Sequence, residues 1–218
     1  MSDHPIIFSA PMVRALIEGR KTMTRRLAWR GPVTQFYPSS WQKVKPGDRL
    51  WVRECWAHYQ TINQRRLANG GYSDEISDGL AGYRADGCDG IDEFRDHVRL
   101  MAGTDLIAVE INGDRWRSSI HMPRWASRLT LEVTAVKIER LQDISEEDAL
   151  AEGVHELGGQ MVGCFVAGQA MSGTTAEECF ARLWEILHGT CSWEANPEVV
   201  ALTFAVHKAN IDKLGEPK

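Results

Sequence analysis

The sequence has no run of about 18 apolar residues, so no membrane-spanning helix is expected. Its first residues, Met1-Ser2-Asp3-His4-Pro5, lack the charged and then apolar segments of a signal peptide. Cys-x-x-Cys spacing is missing as well. The cysteines, Cys55, Cys88, Cys164, Cys179 and Cys191, are scattered and odd in number, which argues against a disulfide framework and for a reducing cytoplasm. An excess of positive charge is also absent. A formal net charge of -5 argues against tight, non-specific duplex binding and leaves room only for a local basic site that takes a nucleotide or a short single strand. There is neither a Gly-x-Gly-x-x-Gly run nor a P-loop. Cys55 and His58 have metal-ligand spacing without a second pair, so no metal site is expected.

What is present begins with a dense run, Gly19-Arg20-Lys21-Thr22-Met23-Thr24-Arg25-Arg26, which follows an apolar segment with helical spacing. A lysine near a threonine can act as the base that turns a hydroxyl into a nucleophile. Arg20, Arg25 and Arg26 suit a phosphate or the carbonyl of a base. In an extended chain, residues three apart point to opposite faces, so Lys21 and Thr24 converge only if the backbone turns or bulges between them. The competing account is a solvated basic rim.

At 218 residues and 43% hydrophobic content the chain can bury a sizeable core. The pattern predicts a strand over Pro5–Ser9 and a helix over Ala10–Gly19 with Gly19 as its stop. A loop is expected over Leu27–Val44, then a strand from Leu50 to Trp56 behind the turn Lys45-Pro46-Gly47-Asp48. His58–Asp105 reads as a loop-rich insertion, and Arg117–Arg128 as a second polar loop. Leu129–Ile138 alternates as a strand. A helix follows Ser145 and ends at Gly153. The strongest helix covers Thr174–His188, with Phe180, Leu183, Trp184 and Leu187 as its stripe, and Val199–Val206 is the last strand. Short strands, three helices and no βαβ alternation predict an α+β fold round a small mixed β-barrel, in one domain spanning 1–218.

Three segments carry a resemblance: Phe8 to Arg26, Lys45 to Glu54, and Ile138 to Gly153, together with the Val199–Val206 strand. They resemble the ASCH-domain family of the PUA-like superfamily, and the whole chain is most similar to its longer phage and prophage members. The resemblance implies a PUA-like barrel and an amidohydrolase that cleaves N4-acetylcytidine to cytidine and acetate. It assigns Lys21 as base, Thr24 as nucleophile and Glu152 as the acid, without a cofactor. Other members of the family bind RNA or cut it, so a non-enzymatic RNA or modified-nucleotide binding module, or a ribonuclease, is the alternative. The partner expected is a nucleoside, a nucleotide or single-stranded RNA. Glu54 is a second candidate pocket carboxylate. Trp125, between Arg124 and Arg128, is the candidate for stacking on a base.

Overall fold

A computed structural model describes residues 1–30, 36–67, 72–88, 91–102, 106–111, 115–158, 161–166 and 169–214. The backbone divides into two compact units. One comprises Met1–Ile6, Pro11–Val52 and Arg128–Lys218; the other comprises Ile7–Ala10 and Arg53–Ser127.

The first unit is built on a five-stranded sheet of β1 (Asp3–Ile7), β2 (Met23–Leu27), β5 (Arg49–Arg53), β9 (Thr130–Arg140) and β13 (Glu198–His207), in the order β1-β5-β9-β13-β2. β13 pairs antiparallel with both β2 and β9, and β5 pairs antiparallel with β9. Among the described residues β1 and β2 are the two edges of an open order, and no ladder closes this sheet into a barrel. The short strands β3 (Trp29–Arg30) and β4 (Tyr37–Pro38) pair within the stretch expected to be a loop.

In β9 Leu131 and Val133 are buried on either side of exposed Glu132, while Thr130, before them, is buried as well. A register shift opposite Thr203/Phe204 then inserts an extra residue. Beyond it Ile138 is exposed and Glu139 is buried, the reverse of what an apolar residue and a carboxylate ordinarily do.

Three α-helices belong to this unit: α1 (Ala10–Ile17), α3 (Glu146–Ala151) and α4 (Ala176–His188). Gly19 adopts φ +78 two residues beyond α1, the left-handed geometry that glycine tolerates at a helix exit. Ser145 caps α3 by accepting from the Asp148 N–H at 3.2 Å, and Thr175 caps α4 in the same way. Phe180, Leu183 and Trp184 of α4 pack with Leu141, Ile144 and Val199, whereas Leu187, expected in the same stripe, is 49% exposed. Strands β10 (His155–Gly158), β11 (Met161–Val166) and β12 (Gln169–Gly173) form an antiparallel sheet that the residue pattern did not announce.

The second unit corrects the expectation of a loop-rich insertion. His58–Asp105 lies largely in β6 (Trp56–Arg66), β7 (Tyr72–Tyr83) and α2 (Ile91–Ala102). With β8 (Leu106–Ile111) the strands form an antiparallel sheet in the order β7-β6-β8. The strands were hidden because they carry many polar residues and little apolar alternation. The helix had a signal, Ile91, Phe94 and Val98 at i, i+3 and i+7, all three in one apolar cluster with Ala57 and Cys88. Gly82 of β7 is required there, since a Cβ would lie 2.0 Å from the Phe94 ring. The expected polar loop Arg117–Arg128 contains two 3-10 turns, Ser119–His121 and Arg124–Ala126.

Candidate functional site

The Gly19–Arg26 run leaves α1 and enters the edge strand β2. Arg20 and Lys21 donate their backbone N–H groups to Ala15 O, the Thr22 N–H donates to Ala151 O, and the Phe204 N–H donates to Thr22 O. These bonds lay the segment against the end of α3, where Glu152 is the residue that closes the helix.

Lys21 is buried, with 1% of its side chain exposed. Its Nζ donates to Glu152 Oε2 at 2.7 Å and to the Glu152 carbonyl at 2.7 Å. The ammonium therefore satisfies a terminal carbonyl of α3 as well as pairing with the carboxylate. Burial pushes the Lys21 ammonium below the usual lysine range. The Glu152 charge and hydrogen bond oppose that shift, and Arg26 and Arg25 add to it.

Arg25 has no exposed side-chain surface. Its Nε and Nη2 donate to Glu139 Oε1 at 3.1 and 2.7 Å, and Nη2 donates to Asp148 Oδ2 at 2.5 Å. Its Nη1 lies 3.5 Å from Glu152 Oε1, and its guanidinium carbon is 5.9 Å from the centre of the Phe180 ring. Lys137 also pairs with Glu139, at 2.5 Å. Buried charges persist only when paired and hydrogen-bonded, and here cations and carboxylates interlock. Asp148 and Glu152 stand four apart on one face of α3, and Lys21 and Arg25 stand four apart on the segment facing it.

Thr24 is buried too, at 1% exposure. β2 runs against β13 from Thr203↔Met23 to Val199↔Leu27 without a register shift. Alternation therefore places Thr24 and Arg25 on opposite faces of the strand. The Arg25 Nη1 contact to Met23 Sδ at 3.3 Å puts those two on one face. The structure thus brings Lys21, Arg25 and Glu152 together and sets Thr24 on the other side of β2 from Arg25.

The remaining arginines differ from one another. Arg26 donates from Nη1 to Arg25 O at 3.3 Å and lies 6.0 Å from the Trp41 ring centre. Burial lowers its basicity, opposed by Glu152. Arg20 pairs with Glu18 through Nε at 2.7 Å and reaches Gly153 O at 3.4 Å. It lies on the rim of a cavity of about 250 Å³ whose wall also includes Glu152, Gly153 and His155. Gly153 adopts φ +104, and a Cβ there would meet Ala15 and Lys21 at 3.5 and 3.6 Å. Its turn carries the chain from Glu152 to His155 at the start of β10.

Glu54 and Trp125 belong to the second unit. Glu54 is buried, and its N–H meets Met122 Sδ at 3.2 Å. Trp125 is 52% exposed and packs edge-on against Trp56 and His58, with centroids 5.7 and 5.9 Å away. Among the described residues no group of three or more His, Cys, Asp or Glu is arranged to hold a metal ion. Among the described residues Cys55, Cys88, Cys179 and Cys191 form no disulfide.

Sequence reasoning missed Glu139, Asp148 and His155. The four-residue spacing of Asp148 and Glu152 was a usable signal for the first helix partner. Glu139 was masked by the register shift in β9, and His155 carries no pattern. No family model matches the chain, and neither the curated proteins nor the solved structures contain a significant match to it.

Proposed function

We propose that the protein is a hydrolase of the exocyclic amide of an N4-acylated cytidine, with N4-acetylcytidine as the representative substrate. The observation that supports this most is the buried Lys21–Glu152 pair, bonded at 2.7 Å, with lysine basicity lowered by burial. A buried lysine of lowered basicity, hydrogen-bonded to a carboxylate residue that lines a cavity, is suited to moving protons at neutral pH. A buried hydroxyl, Thr24, is three residues away in the chain.

In this reading Lys21, once it has given up its proton, accepts the Thr24 hydroxyl proton as Oγ1 bonds to the acyl carbon. The proton passes to Glu152 along their hydrogen bond, and Glu152 delivers it to N4 as the C–N4 bond breaks. Cytidine leaves, and water then cleaves the acyl-threonine ester to release acetate and restore the hydroxyl. One proton circulates, and no oxidant or cofactor enters. Catalytic hydrogen bonds are commonly long or misaligned before substrate binds, and Thr24 has to rotate or shift toward Lys21 in the complex.

The alternation that separates Thr24 from Arg25 favours a second reading, a modified-nucleotide or RNA binding module that uses the same pocket without a covalent step. One experiment separates them. Purified protein is incubated with N4-acetylcytidine and the products are resolved by chromatography, beside Thr24→Ala. Hydrolysis predicts cytidine release that falls at least ~100-fold in the variant, the scale of losing a positioned catalytic group. A folded wild type that releases no cytidine rejects the hydrolase and leaves the binding module.

A further inference from the structure

The second unit holds a cleft of about 500 Å³, lined by Arg115, Trp116, Arg117, Ser118 and His121. Its wall offers two guanidiniums, a hydroxyl and an imidazole, and among the described residues no carboxylate. In a chain of net charge -5 a wall of this one sign is an exception. The side chains of Arg115, Ser118 and His121 make no hydrogen bond or ion pair with the described residues. Solvent can satisfy each of them singly, but here one recess collects them all.

The fold holds that wall in place. Arg117 exchanges backbone hydrogen bonds with Trp56, at 2.8 and 3.2 Å, and its guanidinium carbon lies 5.5 Å from the Trp56 ring centre. Trp116 packs on Phe94 with ring centres 5.2 Å apart and is half-buried, so part of the indole is anchored and the rest faces the cleft. In the 3-10 turn Ser119–His121 the His121 N–H donates to Ser118 O at 3.0 Å, which brings His121 back beside Ser118. Buried Met122 pins the end of the turn against Trp56 and Ala126.

We infer that this cleft binds the phosphate group of a small phosphorylated molecule, with Trp116 as the platform for the body that carries it. A phosphate monoester brings nearly two negative charges and three acceptor oxygens at neutral pH. Arg115 and Arg117 match that charge, and their forked N–H groups match the oxygens. A carboxylate brings a single charge and would leave one guanidinium unmatched. Ser118 and a ring N–H of His121 supply two further donors. A recess lined by one sign of charge focuses its field on an entering anion. The volume falls within the ~300–1,000 Å³ common for small-molecule sites, which leaves room beyond the phosphate. No residue of the proposed hydrolysis takes part, so the two readings stand or fall separately.

Titration calorimetry at fixed ionic strength tests the inference with inorganic phosphate, phenyl phosphate and benzoate. Wild type is expected to bind phenyl phosphate at least about tenfold more tightly than benzoate. Arg115→Gln and Arg117→Gln should each weaken phenyl phosphate about five- to tenfold, the scale of a hydrogen bond to a charged group. Arg95→Gln, in the same unit but outside the cleft, should stay within about twofold. Thermal unfolding is recorded for every variant. Arg115 is exposed, so its variant carries the test even where Arg117→Gln loses stability with its Trp56 contact. Phenyl phosphate bound more tightly than inorganic phosphate sustains the platform. Equal affinity for the two overturns the organic ligand in favour of free phosphate. Absence of saturable binding by either phosphate, equal binding of benzoate, or a folded Arg115→Gln of unchanged affinity overturns the site itself.

Discussion

Arg20 and Arg25 come from one eight-residue run, and the fold treats them in opposite ways. The Arg25 side chain has no exposed surface and is held by Glu139 and Asp148, with Glu152 at 3.5 Å. Arg20 keeps 35% of its side chain exposed and pairs with Glu18 on a cavity rim. From residue type alone both were candidate ligands for a phosphate. Burial sorts them: Arg25 is committed to carboxylates that fix α3 against β2, while Arg20 faces solvent where charge is screened and cheap to change. An arginine-rich motif is thus two devices, an internal brace and an external rim.

The largest effect expected from breaking this contrast is at Arg25. Arg25→Gln keeps a polar side chain but leaves buried Glu139 without its guanidinium, and removal of one partner from a buried pair costs about 3–5 kcal/mol. Urea unfolding followed by tryptophan fluorescence measures it. A loss below about 1 kcal/mol would show that the brace is ornamental.

Lys21 gives an intermediate effect with a pH signature. Its folded-state basicity lies below the unfolded value of 10.5, with burial as the chief cause. Between those two values the unfolded chain binds more protons than the folded one, so stability rises with pH across that window and is lowest below it. Lys21→Met removes this contribution. Unfolding temperatures taken through the neutral to alkaline range should climb more in wild type than in the variant, and parallel curves would contradict the assigned shift.

The smallest effect is at the rim. Arg20→Gln should stay within about 0.5 kcal/mol of wild type in the same urea assay, as surface pairs ordinarily do. A large loss would erase the distinction between the two arginines.

How much of this was legible in the sequence depends on the kind of signal each element carries. Helices α1, α3 and α4 announced themselves through apolar spacing, Ser145 and the stops at Gly19 and Gly153. Strands β9 and β13 were readable because β-branched and aliphatic residues dominate them. β6 and β7 were not, because their Thr, Asn, Gln and Arg positions interrupt any apolar alternation. In the site, the motif singled out Lys21 and Thr24, and Glu152 came only from the family resemblance. The cation–carboxylate pairing across 114 to 131 residues of chain had no local trace. The face of β2 on which each motif residue falls depends on its ladder with β13, which only the fold supplies.

The position of β2 at the edge of its sheet gives the ion cluster a consequence of another kind. An unpaired strand edge is a template on which a second chain can add, and inward-pointing charge is one of the means by which sheets discourage that addition. Here the edge strand carries Arg25 locked to carboxylates of the neighbouring helix, and the chain just before it gives its Thr22 N–H to Ala151 O. A chain adding at this edge would have to strip those partners away first. The same contacts that hold Lys21 and Glu152 in place therefore keep the sheet from growing, and variants that loosen them should aggregate before they unfold completely.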